Sequence, residues 1–253
     1  MVKHIDNRAR EKEILGLIID SYIKESRPIS SGYLCAECRL NYSPATVRNI
    51  MLSLEQQGLV SHIHTSSGRV PTKEGFKRYV DNLTEEEVNR QYPLDLDSYA
   101  LADLDMDDMI SLSLDNLARS SGYASLIAVS GRPASPAGRE DGFFYRGMRF
   151  ILEQPEFEDI ERLRHVFYAL EVRMEDLQHL LFDYLDDKIK ILIGDDIGFE
   201  EISDCSLVIS GLRQKNLGMS LALLGPMRMN YAKAASCLNS VRNQLSQAVL
   251  GRL

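Results

Sequence analysis

Arg48, Asn49 and Gln56 are the residues of this chain best equipped to read another molecule. An Asn or Gln amide offers a donor and an acceptor side by side, which matches the major-groove edge of adenine, and an arginine matches guanine or a phosphate. Asn49 and Gln56 stand seven positions apart, two turns of a helix, so they share a face. Ala45 and Ser53 complete that face, which is small or hydrogen-bonding and holds no carboxylate. A solvated helix would ordinarily carry more charge there, whereas a DNA groove suits such a surface. Thr46, Arg69 and Lys73 are placed to fix register through phosphates. His62 and His64 flank Ile63 on alternate sides of an expected strand, so they do not converge on a metal, and His64 is assigned a phosphate contact.

These side chains need a rigid platform, and the local sequence supplies one. Ser43 is a good N-cap and also a candidate phosphate contact, and Pro44 at the first helical position loses no needed hydrogen bond. Val47, Met51 and Leu54 recur at helical spacing until Gly58, which predicts a helix over 44–57. Ser30 or Ser31 caps a short helix over 32–37, and Ile14, Leu17, Ile18 and Tyr22 form the apolar stripe of an earlier helix over 8–25. Three helices with a polar outer face on the third make a helix-turn-helix. Leu59–Ile63 reads as a first wing strand and 64–69 as a turn carrying the Arg69 cation. Val70 and Pro71 form the return, and Thr72 caps a helix with Lys73, Lys77 and Arg78.

Charge follows the same division. Residues 1–83 hold 12 Lys and Arg against 9 Asp and Glu, and residues 84–253 hold 17 against 28, within a net charge of −8. A mildly basic head on an acidic body fits a nucleic-acid binder with a separate regulatory part and excludes indiscriminate binding over the whole surface. Between Ser43 and Arg78 the only carboxylates are Glu55 and Glu74.

The expected domains are a winged head over 1–83, an acidic linker over 84–98 and an α+β body over 99–253 with a helical segment at 156–187. In the body, Asp105 caps a helix over 106–120, and ASLIAVS (124–130) alternates as a strand. SGRPASPAGREDG after Val129 is loop chemistry. Helical periods cover 158–170 and 173–185, KILIG, CSLVIS and GMSLALLG are short strands, and 230–250 closes the chain as a helix.

Other constellations are bland. Cys35 and Cys38 have the spacing of half a zinc site, yet Cys205 and Cys237 are distant singletons, so four reduced cysteines are expected. The aspartates at 103, 105, 107 and 108 lack the glycine and terminal glutamate of a calcium loop. GPMRMNY (225–231) is a tight turn with packing methionines. No nucleophile-and-base pair, phosphate-binding glycine loop or metal triad is present, so neither an enzyme nor a cofactor is expected. The polar N-terminus and the absence of a long apolar run place the chain in the cytoplasm, away from membranes.

The runs SPATVRN, LEQQGLV and HTSSGRVPTKEGFKRYVD resemble the winged-helix domain of the heat-inducible transcription repressor family HrcA. QPEFEDIERLRHVFYALE, IGDDIGFEEISDCSLVISGL and GPMRMNYAKA are similar to later parts of the same family. The resemblance implies a winged helix-turn-helix domain followed by a GAF-like α+β domain, in a bacterial cytoplasmic repressor. It also implies a homodimer on an inverted-repeat operator upstream of chaperone operons, and a chaperonin partner that keeps the repressor active. Three departures stand out. Ile50 replaces the family's Glu, Asp196-Ile197 replaces a Glu-Asn pair, and the chain is shorter after Val129, where the family inserts a subdomain that supports dimerisation. The body is therefore expected to be trimmed. Two other readings remain open: a ligand-sensing winged-helix regulator of other genes, and a protein-interaction module with vestigial DNA binding.

Overall fold

The computed structural model describes residues 2–38, 40–62, 68–89, 101, 104–131, 141–215 and 217–250, and for 2–6 and 89 the backbone alone. The chain divides into two compact units, Met1–Leu83 and Thr84–Leu253.

The first unit contains α1 (Val2–Glu25), α2 (Ser31–Glu37), α3 (Pro44–Gln56), β1 (Val60–Ser61), β2 (Val70–Pro71) and α4 (Lys73–Val80). Helix α1 begins six residues before the expected start, because neither Gly nor Pro interrupts 2–8. Its Ile14, Ile18 and Ile19 meet Leu34, Val47, Met51, Leu54 and Phe76 in one apolar core, all nearly inaccessible. Ile50 is buried with them, so an apolar side chain there adds to the inner side of α3. Gly58 ends α3 with φ +73°, a left-handed turn that a side chain would strain. β1 and β2 pair antiparallel, Val60 with Pro71 and Ser61 with Val70. The first wing strand is shorter than the expected 59–63, and Ile63 and the wing tip, 64–67, lie outside the described residues.

A third rung, unseen in the sequence, joins the wing to the segment before α2. Ile29 N–H donates to Arg69 O at 2.9 Å and Arg69 N–H returns a bond to Ile29 O at 2.8 Å. Gly68 makes this possible, since a Cβ there would lie 2.4 Å from the Ile29 backbone.

The second unit starts with α5 (Glu85–Asn89) and α6 (Met106–Ser121), followed by β3 (Ala124–Ser130), β4 (Gly142–Arg146) and α7 (Met148–Leu152). Then come α8 (Ile160–Glu171), α9 (Met174–Phe182), β5 (Lys190–Ile193), β6 (Cys205–Gln214), β7 (Leu217–Pro226) and α10 (Tyr231–Leu250). Residues 85–89, expected in the acidic linker, are helical and pack on α10. The rest of that expected linker, 90–98, is outside the described residues.

The sheet is five-stranded and antiparallel in the order β4-β3-β7-β6-β5. Strands β6 and β7 are buried along nearly their whole length, because helices cover both faces. On one face Leu126, Leu207, Ile209, Ala222 and Leu224 join Ile151, Val166, Leu170, Leu177 and Leu181. On the other, serines link the sheet to α6 and α10. Ser125 Oγ donates to Leu114 O at 2.8 Å, and Ser206 Oγ lies 2.9 Å from the Tyr231 hydroxyl. The result is an α+β, GAF-like body. β4 and α7 were not anticipated, and β6 extends four residues past the expected CSLVIS. Val129, near the end of β3, pairs with Gly142 at the start of β4.

The acidic run before α6 resolves into capping: Asp105 Oδ1 accepts from Asp108 N–H at 2.8 Å, and Asp103 lies outside the described residues. The GPMRMNY turn is likewise structural. Arg228 pairs with Glu156, the Tyr231 hydroxyl donates to Met227 O, and Asn230 caps α10 through Lys233 N–H at 3.0 Å.

Candidate nucleic-acid interface

The start of α3 is pinned by its own first turn. Ser43 Oγ accepts from Thr46 N–H at 3.1 Å and lies 2.9 Å from Thr46 Oγ1. Both hydroxyls, expected at phosphates, are therefore already joined to each other, and they fix the pitch of the helix that follows. Tyr42, just before the cap, donates to Glu13 at 3.0 Å and ties that turn to α1. Cys35 Sγ lies 3.7 Å from Tyr42 O and holds the same turn.

Along α3, Ala45, Arg48, Asn49, Leu52 and Gln56 are exposed. Their steps of three and four make one continuous outer face. Two corrections to the expected face follow. Ser53 does not belong to it: its hydroxyl donates to Glu11 on α1 at 2.8 Å, and Gln57 donates to Ser53 at 3.3 Å. Leu52, unassigned in the sequence, occupies the middle of it with 42% of its surface exposed.

Arg69 is also placed differently from a cation at a free tip. Its guanidinium meets Glu55, Nε at 3.0 Å and Nη2 at 2.7 Å from Oε2, and only 18% of the side chain is exposed. His62 Nδ1 donates to the other oxygen of the same carboxylate. The hydrogen bond from His62, and next that from Arg69, hold the Glu55 carboxyl below its usual range. Glu55 thus clamps the residue after β1 and the residue before β2 to the last turn of α3. His64 is outside the described residues. Lys73 stands half-buried at the first position of α4, behind the Thr72 cap, whose Oγ1 accepts from Gly75 N–H at 3.1 Å.

Elsewhere the chemistry is internal. Cys205 and Cys237 are buried, and burial pushes the Cys205 thiol up to about 12. Among the described residues no three His, Cys, Asp or Glu side chains converge as a metal site, and no helix is long and apolar enough to cross a membrane. A cleft of about 680 Å³ lies between α10, the end of β6 and the 182–187 turn. Its Arg242 is held by Asp187 O, Ser210 Oγ and Asn243, and the Gln214 amide donates to Ser246.

A capped helix with a small, amide-bearing outer face, braced by two helices and a wing, defines a winged helix-turn-helix DNA-binding head, here joined to an α+β body. Comparison with known proteins gives the same class and narrows it. The family described as "Winged helix-turn-helix transcription repressor, HrcA DNA-binding" matches residues 8–84, and "HrcA protein C terminal domain" matches 51–235. The chain belongs to the HrcA family.

The heat-inducible transcription repressor HrcA of Bacillus pumilus is 25% identical over 336 aligned positions, covering 95% of this chain and 97% of that protein. With 253 residues set against those positions, this chain is the shorter of the two. The same repressor of Prosthecochloris aestuarii is 46% identical over 80 residues, 32% of this chain and 22% of that protein. A crystal structure described as that of a hypothetical protein has the same fold, with a TM-score of 0.76 at 18% identity over 96% of this chain and 99% of its own.

Proposed function

We propose that this chain is a DNA-binding, heat-inducible transcription repressor that acts by occupying its operator, with α3 in the major groove. The observation that carries the reading is the outer face of α3: five exposed residues, no carboxylate, on a helix whose start is capped and whose end is clamped. Asn49 and Gln56 would pair with adenines, and Arg48 would meet a guanine edge or a phosphate. Ala45 allows close approach. Ser43 and Thr46 present the helix N-terminus to a phosphate, and Lys73 and His64 add further phosphate contacts. Arg69 acts here by holding the wing, with its charge directed at Glu55.

The family resemblance supports a homodimer on an inverted repeat, a chaperonin partner that keeps the repressor active, and chaperone operons as targets. The role is regulatory, as the names of the relatives have it, with no catalytic step.

The test is a fluorescence-anisotropy titration at fixed salt with a duplex bearing the family's inverted repeat and a scrambled duplex of equal length. A preference of about a thousandfold or more is expected, with two protomers per duplex. Equal, weak and strongly salt-dependent binding to both would sink the reading.

A further inference from the structure

Leu52 is the one large apolar side chain of the first unit, among the described residues, that leaves more than a third of its surface open. An isolated exposed leucine needs no explanation by itself. Its position does: it stands three residues after Asn49, four after Arg48 and four before Gln56, on the face those residues share. The flanking residues Met51 and Leu54 are buried, and Ser53 is bonded to α1, so the helix cannot roll Leu52 inward without breaking that packing. In a major groove the partner for an apolar side chain is the thymine C5-methyl group, the single apolar feature on any base edge there.

We infer that Leu52 selects a thymine in the operator by packing on its C5-methyl group, beside the base taken by Asn49. The inference rests on the DNA-reading role proposed above for α3. Three helical residues advance about 4.5 Å along the axis, against about 3.4 Å per base step, so the thymine belongs one step from the Asn49 contact. Leucine cannot hydrogen-bond, and it imposes a second penalty at that step. A cytosine there offers no methyl group and turns its N4 amino donor toward the leucine, and a guanine offers only the acceptors N7 and O6.

The experiment uses the full chain. Duplexes are first selected from a randomised library, and each thymidine of the selected site is then replaced singly by deoxyuridine, which removes only the methyl group. Wild type is expected to lose about fourfold in affinity at one position per half-site, the effect of burying one such carbon. Leu52→Ala should lose nothing further at that position, and Leu52→Met should keep most of the loss. Leu112→Ala, at an exposed leucine of α6, should behave as wild type.

Identical deoxyuridine profiles for wild type and Leu52→Ala would overturn the inference while leaving α3 as the reading helix, provided Asn49→Ala still blunts base preference. If no sequence is enriched, or Asn49→Ala leaves preference intact, the DNA-reading role falls and the inference falls with it.

Discussion

The outer face of α3 and the helix-facing side of the body sheet use similar polar chemistry in opposite ways. In the body, Ser125, Ser206, Ser210 and Tyr231 are buried, and each is hydrogen-bonded within the unit. In the head, Asn49 and Gln56 are turned outward on a helix whose buried residues, Val47, Ile50, Met51 and Leu54, are all apolar. A buried polar group must find an internal partner or destabilise the fold. An exposed one is held by no such requirement and remains available to another molecule. The difference locates function in the head, where polar side chains are carried on a rigid support without being used to build it. Arg242 and Gln214 in the body cleft belong to the other kind, since Arg242 donates to Asp187, Ser210 and Asn243 and the Gln214 amide to Ser246.

The contrast can be broken most forcefully in the body. Leu207 sits in the apolar layer of β6 at 1% exposure, so Leu207→Ala should cost roughly 2–5 kcal/mol of stability. Native-state hydrogen exchange should show that loss in β6 and β7 and not in α3. An equal loss in α3 would mean that the two units unfold as one and that the head is not an independent platform. Asn49→Ala should do the reverse. Stability should hold, while affinity for the true site falls by about 1–3 kcal/mol and base preference is blunted. Lys73→Ala should weaken all sequences alike and lower the salt slope by about one. Unchanged specificity in Asn49→Ala would remove α3 from the reading role.

How much of this could be seen beforehand depended on whether the signal was local. The Ser43 cap, Pro44 and the Gly58 stop lie within one helix, and α3 came out within a residue of its expected bounds. Strand β3 matched its expected 124–130, because β-branched alternation ends at Gly122 on one side and Gly131 on the other. GFFYRGMRFIL failed for the opposite reason. Gly142–Arg146 forms an edge strand, half-buried from Gly142 to Tyr145 and exposed at Arg146, with no alternation, and Gly147 reads as a loop although it leads straight into α7. Ser53 has the spacing of the outer face, and what draws it toward α1 is Glu11, 42 residues away. Leu52, an apolar residue next to Met51, merges into the core stripe in sequence although it is exposed in the fold. Arg69 looked like a free cation because nothing in its own turn announces Glu55, 14 residues earlier.

Glu55 is the point where the two uses of polar chemistry meet, and it yields the smallest and most diagnostic effect. It is a carboxylate beside the face proposed to read DNA, a placement that would repel phosphates were it not committed to His62 and Arg69. With 22% of its side chain exposed, the clamp contributes modestly, and Glu55→Gln should lower head stability by about 1 kcal/mol at neutral pH. The pH dependence separates a charged clamp from simple packing. A carboxylate whose pKa is depressed on folding adds stability above its ordinary value of 4.5 and gives it up as pH falls through the lowered value. The gap between wild type and Glu55→Gln, measured by denaturant unfolding, should therefore be full at pH 6–7, begin to shrink as pH falls below 4.5, and close only as pH passes through the lowered value. A gap that stays constant down to acid pH would show that Glu55 acts through shape alone. No gap at any pH would show that the wing is held by the Ile29–Arg69 backbone rung without help from the ion pair.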